Sequence, residues 1–149
     1  MAFTFRYTLN GNPPLILPFL FKDTETLTVG DLVNVESGEI DLAATNDATL
    51  AGGFMGAEDP NDSAISNPGV VAGTDSTTYG LAIVSPDAVY GVADTSARLA
   101  GATLDLSGAT GAQTVAASSN VDLVVVQTKK NNSDEVLVVI AHGEHYLRP

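Results

Sequence analysis

The sequence predicts an all-β protein, a compact antiparallel β-barrel or β-sandwich with an extended N-terminal arm. Three observations carry that prediction. The first is Leu27 to Ala43, LTVGDLVNVESGEIDLA, which reads as a hairpin with a consistent register. Val33 and Val35 alternate with Asn34 and Glu36, Ser37-Gly38 intervenes, and Ile40 and Leu42 alternate with Glu39 and Asp41. A two-residue turn pairs Val35 with Ile40 and Val33 with Leu42, which puts every apolar residue on one face. The second is that the rest of the chain repeats this grammar, short apolar runs punctuated by turn residues. The third is that no segment sustains helical periodicity over 12 residues. Closely spaced strands and turns of this kind favour a barrel or a sandwich.

Each element has its own justification. Phe3, Phe5, Tyr7 and Leu9 share one side of an extended segment, and Thr4, Arg6 and Thr8 share the other. Asn10-Gly11-Asn12-Pro13-Pro14 breaks it, because proline cannot donate to a ladder and Gly and Asn tolerate turn dihedrals. Leu15 to Phe21 (LILPFLF) is densely apolar, and Pro18 demotes it to an edge strand or an extended arm. Leu50 to Gly56 (LAGGFMG) reads as a strand with close backbone approach at its glycines. Asp59 to Thr78, rich in Asn, Ser, Pro, Gly and Thr, reads as a long loop around a short Gly69-Val70-Val71 strand.

Gly80 to Val84 and Val89 to Ala93 read as strands bracketing Ser85-Pro86-Asp87, a tripeptide that also suits a single helical turn. Leu99 to Leu106 alternates briefly, and Ser107 to Gly111 is a turn. The strongest hairpin comes last: Val121 to Gln127, the polar loop Thr128 to Asp134, then Glu135 to Ala141. Both arms are nearly continuous in β-branched and Leu residues, as in central strands covered on both faces. Val124, Val126, Val138 and Ile140 are therefore expected in the core.

At 149 residues the chain is expected to form one domain that buries roughly 70% of the surface its unfolded form exposes. The division is a strand or docking arm over residues 1–22 and a single β-domain over 23–149. Hydrophobic content of 44% against 16% charged residues argues for a packed globule. With no cysteine, disulfides and thiolate metal sites are excluded. The N-terminus lacks the long apolar core of a signal peptide, and no run approaches the roughly 18 apolar residues of a membrane span. A soluble product that is not exported by that route is the expectation.

Charge is lopsided. The net value is −12, and from Asp23 to Asp94 there are 13 acidic residues and no Lys or Arg. The basic residues, Arg6, Lys22, Arg98, Lys129, Lys130 and Arg148, all lie outside that stretch. Such a surface repels phosphate and argues against a nucleic-acid partner. It keeps an apolar-rich protein soluble, and it also suits the outer face of something larger, with the basic residues near the attachment side.

The motifs of catalysis are missing. There is no GxSxG elbow, phosphate loop, GxGxxG, HExxH or EF-hand loop. The only histidines lie in His142-Gly143-Glu144-His145. In an extended strand, 142 and 144 face one way and 145 the other, so they read as surface histidines near a strand end rather than as metal ligands. Glu58-Asp59-Pro60-Asn61-Asp62 gathers oxygens without the spacing of a Ca²⁺ loop and reads as a solvated acidic turn. No enzyme activity, metal or cofactor is expected. Four of five Phe residues, Phe3, Phe5, Phe19 and Phe21, fall in the first 21 positions. They supply either a core strand pair or an apolar arm for a neighbouring subunit, since large apolar anchors concentrate at interfaces. With Arg6, Tyr7 and Lys22 they form the candidate interface set.

Three blocks, GDLVNVESGEIDLA at Gly30 to Ala43, GLAIVSPDAVYGVAD at Gly80 to Asp94 and VDLVVVQTKKNNSDEVLVVIAHGEHY at Val121 to Tyr146, resemble the small head-decoration proteins of tailed bacteriophages. The resemblance covers most of the chain in order and lies in strand-and-turn texture. It implies a β-rich body, frequently a homotrimer, that cements the outside of the capsid. The partner it implies is the major capsid protein, with no nucleic acid or membrane involved. A tail or fibre β-module is an alternative within the virion. A stand-alone carbohydrate-binding β-sandwich is the alternative outside it, although the chain has no Trp and only four Tyr to stack on sugars.

Overall fold

The computed structural model describes residues 2–58, 65–67, 70–72, 78–128 and 134–147. Among them the protein is all-β. In chain order the strands of the first half are β1 (Phe3–Thr8), β2 (Ile16–Phe21), β3 (Thr26–Thr28), β4 (Leu32–Glu36), β5 (Glu39–Leu42), β6 (Leu50–Glu58), β7 (Ile65–Asn67) and β8 (Val70–Ala72). The second half adds β9 (Tyr79–Ile83), β10 (Ala88–Ala93), β11 (Thr103–Ser107), β12 (Thr114–Ala117), β13 (Leu123–Thr128) and β14 (Glu135–Ile140). They form two six-stranded sheets and the small β3–β8 pair.

One sheet runs β4-β5-β2-β9-β6-β7, and an added β4–β6 pairing joins its first five strands into a closed barrel. The other runs β1-β10-β14-β13-β11-β12 and stays open. The expected hairpin occurs in the expected register, Val33 opposite Leu42 and Val35 opposite Ile40. Its turn residues Ser37 (φ 54°) and Gly38 (φ 88°) are both left-handed, the two-residue geometry whose twist matches the flanking strands.

Strand alternation explains why there are two cores. Val33, Ala51 and Ala82 point into the barrel, where Phe21 and Phe54 meet edge-to-face at 5.7 Å. Their sequence neighbours Leu32, Leu50 and Ile83 point out of the barrel wall toward the open sheet. There they pack with Phe3, Tyr90, Val138 and Leu123 in a second, larger core. The molecule is a barrel with a sheet laid against its wall. At Gly52 (φ 144°) a Cβ would stand 2.2 Å from the Ile83 carbonyl oxygen, so the expected close approach in β6 is real.

Four expectations need correction. The N-terminal segment is not an arm extending from a separate body. β1 pairs antiparallel with β10, and β2 is a stave of the barrel between β5 and β9. Pro18 is accommodated inside that stave opposite Leu81. The Ser85-Pro86-Asp87 turn is a β-turn closed by the Ala88 amide on the Ser85 carbonyl at 3.0 Å, not a helical turn, and it carries the chain from barrel to open sheet. In the terminal hairpin only one face is fully buried. Val138 and Ile140 are in the core, whereas Val124 and Val126 face outward and are half-buried.

The fourth correction is His145. It is 1% exposed, and Gly143 (φ 98°) turns the chain so that residues 144–146 dock on Leu50 as an isolated parallel bridge. Beyond Glu58, which ends β6, the acidic turn to Asp62 and most of the Asp59 to Thr78 loop lie outside the described residues. Within that loop β8 occupies the site of the expected short strand.

Candidate docking surface

The interface residues singled out from the sequence divide between the two sheets and do not converge. Phe3 and Phe21 are 1% and 0% exposed, each in a different core, and neither is free to anchor a partner. Phe5 packs edge-to-face on Tyr90 at 6.2 Å, and Phe19 does the same on Tyr146 at 5.8 Å. Tyr7 remains exposed. Arg6 reaches across Gly91 to pair with Glu135, and a Cβ at Gly91 would overlap both side chains. Lys22 bonds Asp41 at 2.8 Å, and that hydrogen bond and the attendant charge hold its ammonium above the usual lysine range.

A third cation, Arg98, donates to Asp94 at 2.7 Å. Burial pushes the Asp94 carboxyl up, but Arg98 and the Ser96 amide outweigh it and hold the group below the usual range. All three described cations are thus neutralised within their own chain. The remaining basic residues, Lys129, Lys130 and Arg148, lie outside the described residues.

Buried polar groups, which the sequence reading passed over, fasten the loops around the open sheet. Gln113 is 3% exposed and acts as a surrogate strand. It accepts from the Leu32 amide at 2.7 Å and donates to the Leu32 and Ala43 carbonyls at 3.0 and 2.9 Å. Asp31 accepts from the Thr28 and Gly111 amides at 2.8 Å. Burial raises its carboxyl above the usual range, against the pull of those two amides. Asp122 takes the Leu106 and Asn46 amides, and Asp105 takes the amides of Ser119 and Asn120. His145 holds the C-terminal segment: Nδ1 accepts from the Leu147 amide, which leaves Nε2–H to donate to the Ala51 carbonyl at 3.0 Å.

The surface left for a partner is elsewhere. On the outer side of β13 and β14, Val124, Val126, Leu137 and Val139 form a half-exposed aliphatic strip in the middle of the open sheet. At its end Leu9, Pro86, Asp87 and His142 frame a cleft of about 280 Å³. The signal for this face was present in the sequence. Strands apolar on both sides call for a layer on each side, and the described residues supply only one. Among the described residues no group of three or more His, Asp or Glu is placed to hold a metal. No protein-family model matches the chain, and no curated protein or solved structure shows significant similarity to it.

Proposed function

We propose that this protein is a virion structural component of a tailed bacteriophage. In this reading it binds the outer surface of the capsid and stabilises joints between major capsid subunits, with the copies associating as homotrimers. The observation that carries the reading is the aliphatic strip of β13 and β14, an apolar face at the centre of a sheet over which the described residues place no second layer. Such a face suits a permanent protein contact better than a small substrate. The net charge of −12 supports an outward position, away from packaged polyanion. The resemblance of the three sequence blocks to head-decoration proteins supplies the identity of the partner.

The test is co-sedimentation of the purified chain with capsids that lack it. Saturable binding, with antibodies against residues 59–78 reaching intact decorated particles, is the expected result. Failure to bind, or labelling only after the shell is opened, overturns the proposal.

A further inference from the structure

We propose that the cleft at the end of the aliphatic strip is a receptor for one lysine or arginine side chain of a partner protein. The surrounding strip then takes the apolar residues that flank that side chain. This goes beyond the capsid reading, which says nothing of what the cleft recognises, and it rests on that reading only for the partner's identity. The cleft is lined in part by Ile140, Ala141 and His145, all buried. Its lining is otherwise largely aliphatic, with Val124, Val139, Pro86 and Leu9, the last 57% exposed.

Asp87 is the single carboxylate of the lining. Asp87 Oδ2 accepts from the Asn10 amide at 3.1 Å, which fixes the side chain in place. Its other oxygen takes no hydrogen bond within the described residues. An apolar trough ending in one preset carboxylate matches a long basic side chain, whose methylene stem lies on hydrocarbon while its charged head meets the acid. Charge decides between occupants. The cleft belongs to a body of net charge −12 whose described cations are all paired internally, so a second copy offers it no free basic group from those residues. A basic side chain is drawn toward the cleft by that field.

The experiment is an amide NMR titration of the full-length ¹⁵N-labelled chain with N-acetyl-valyl-arginine methylamide, run beside the citrulline counterpart. Citrulline keeps the shape and removes the charge. Shifts concentrated at Asp87, Val124, Val139 and His142, present with arginine and absent with citrulline, are expected. Asp87→Asn, which retains an acceptor for the Asn10 amide, should weaken binding about two- to fivefold, the range of an exposed ion pair. His142→Lys, a change at an exposed position, should weaken it similarly. Equal shifts with citrulline, shifts spread over the acidic Asp23 to Asp47 stretch, or indifference to both substitutions overturns the proposal.

Arg148→Gln tests whether the chain fills its own cleft. Unchanged Val124 and Val139 signals support a partner in trans, whereas a shift there with tighter peptide binding replaces the proposal with occupation in cis. Neither readout uses a capsid, so the cleft and the capsid assignment fail separately.

Discussion

The side chain with the widest reach is Gln113, because one amide replaces the hydrogen bonding of a missing strand. Gln113→Ala leaves the buried Leu32 amide and the Ala43 carbonyl without that partner, while the Leu32 carbonyl keeps the Ala43 amide at 3.0 Å. At roughly 1–3 kcal/mol for each unsatisfied group, a loss of about 2 kcal/mol or more is expected in urea or guanidinium titrations. Asp105 gives a pH-dependent counterpart. The Ser119 amide, then the Ser118 hydroxyl and Asn120 amide, hold its carboxyl below the usual range despite burial. A lowered folded-state value means that its contribution is complete above the unfolded value of about 3.9 and disappears as pH falls through the folded one. The stability gap between the protein and Asp105→Asn should therefore be constant from pH 7 to about 5 and close below the unfolded value. A gap that persists unchanged at pH 2 contradicts this. Such residues were illegible in the sequence, since an Asp or Gln in a turn reads as solvated until the fold supplies the distant amides it serves.

At the scale of elements, two strand pairs separate the half-buried from the buried. Val138 and Val139 are adjacent in β14 and face opposite ways. Val138→Asp places an unpaired charge in the larger core and should prevent folding, whereas Val139→Asp should leave a folded chain. Circular dichroism and a melting curve distinguish the two, and equal tolerance would mean that the sheet is not laid against the barrel. β1 and β2 make the second case. Removing residues 1–21 takes an edge strand from the open sheet and a stave from the barrel, so the remainder should be unfolded and protease-sensitive. A folded remainder would restore the independent arm. Alternation made the Val33–Leu42 hairpin legible down to register and the β13–β14 pair legible as a hairpin, because both are local. The placement of β1 and β2 was not, because their partners lie far along the chain and a Phe-rich, proline-interrupted run fits an arm and a barrel stave equally well. The docking surface was half legible: apolar residues on both faces of β13 and β14 were evident, but which face stays open depends on where the barrel sits.

For the whole molecule, the barrel closes through β2–β9 and β4–β6, and each of the two layers draws strands from both halves of the sequence. Pairings this distant make loop closure precede most of the stabilising contact, so refolding in milliseconds to seconds is expected in stopped-flow measurements. Microsecond refolding would mean that local hairpins dominate. The same connectivity governs how the chain behaves while it is being made. Thr8 waits for Ala88 and Phe19 for Gly80. At roughly 5–20 residues per second, the ribosome takes about 3–12 s to supply the 61 residues from Phe19 to its partner Gly80. Throughout that interval LILPFLF is a naked apolar segment beside a growing polypeptide. Pro18 and the Pro13-Pro14 pair deny it a regular ladder with its counterpart on a neighbouring nascent chain. The prolines that look like a defect in a strand thus act as a guard during synthesis, and the barrel absorbs Pro18 once translation has delivered β9.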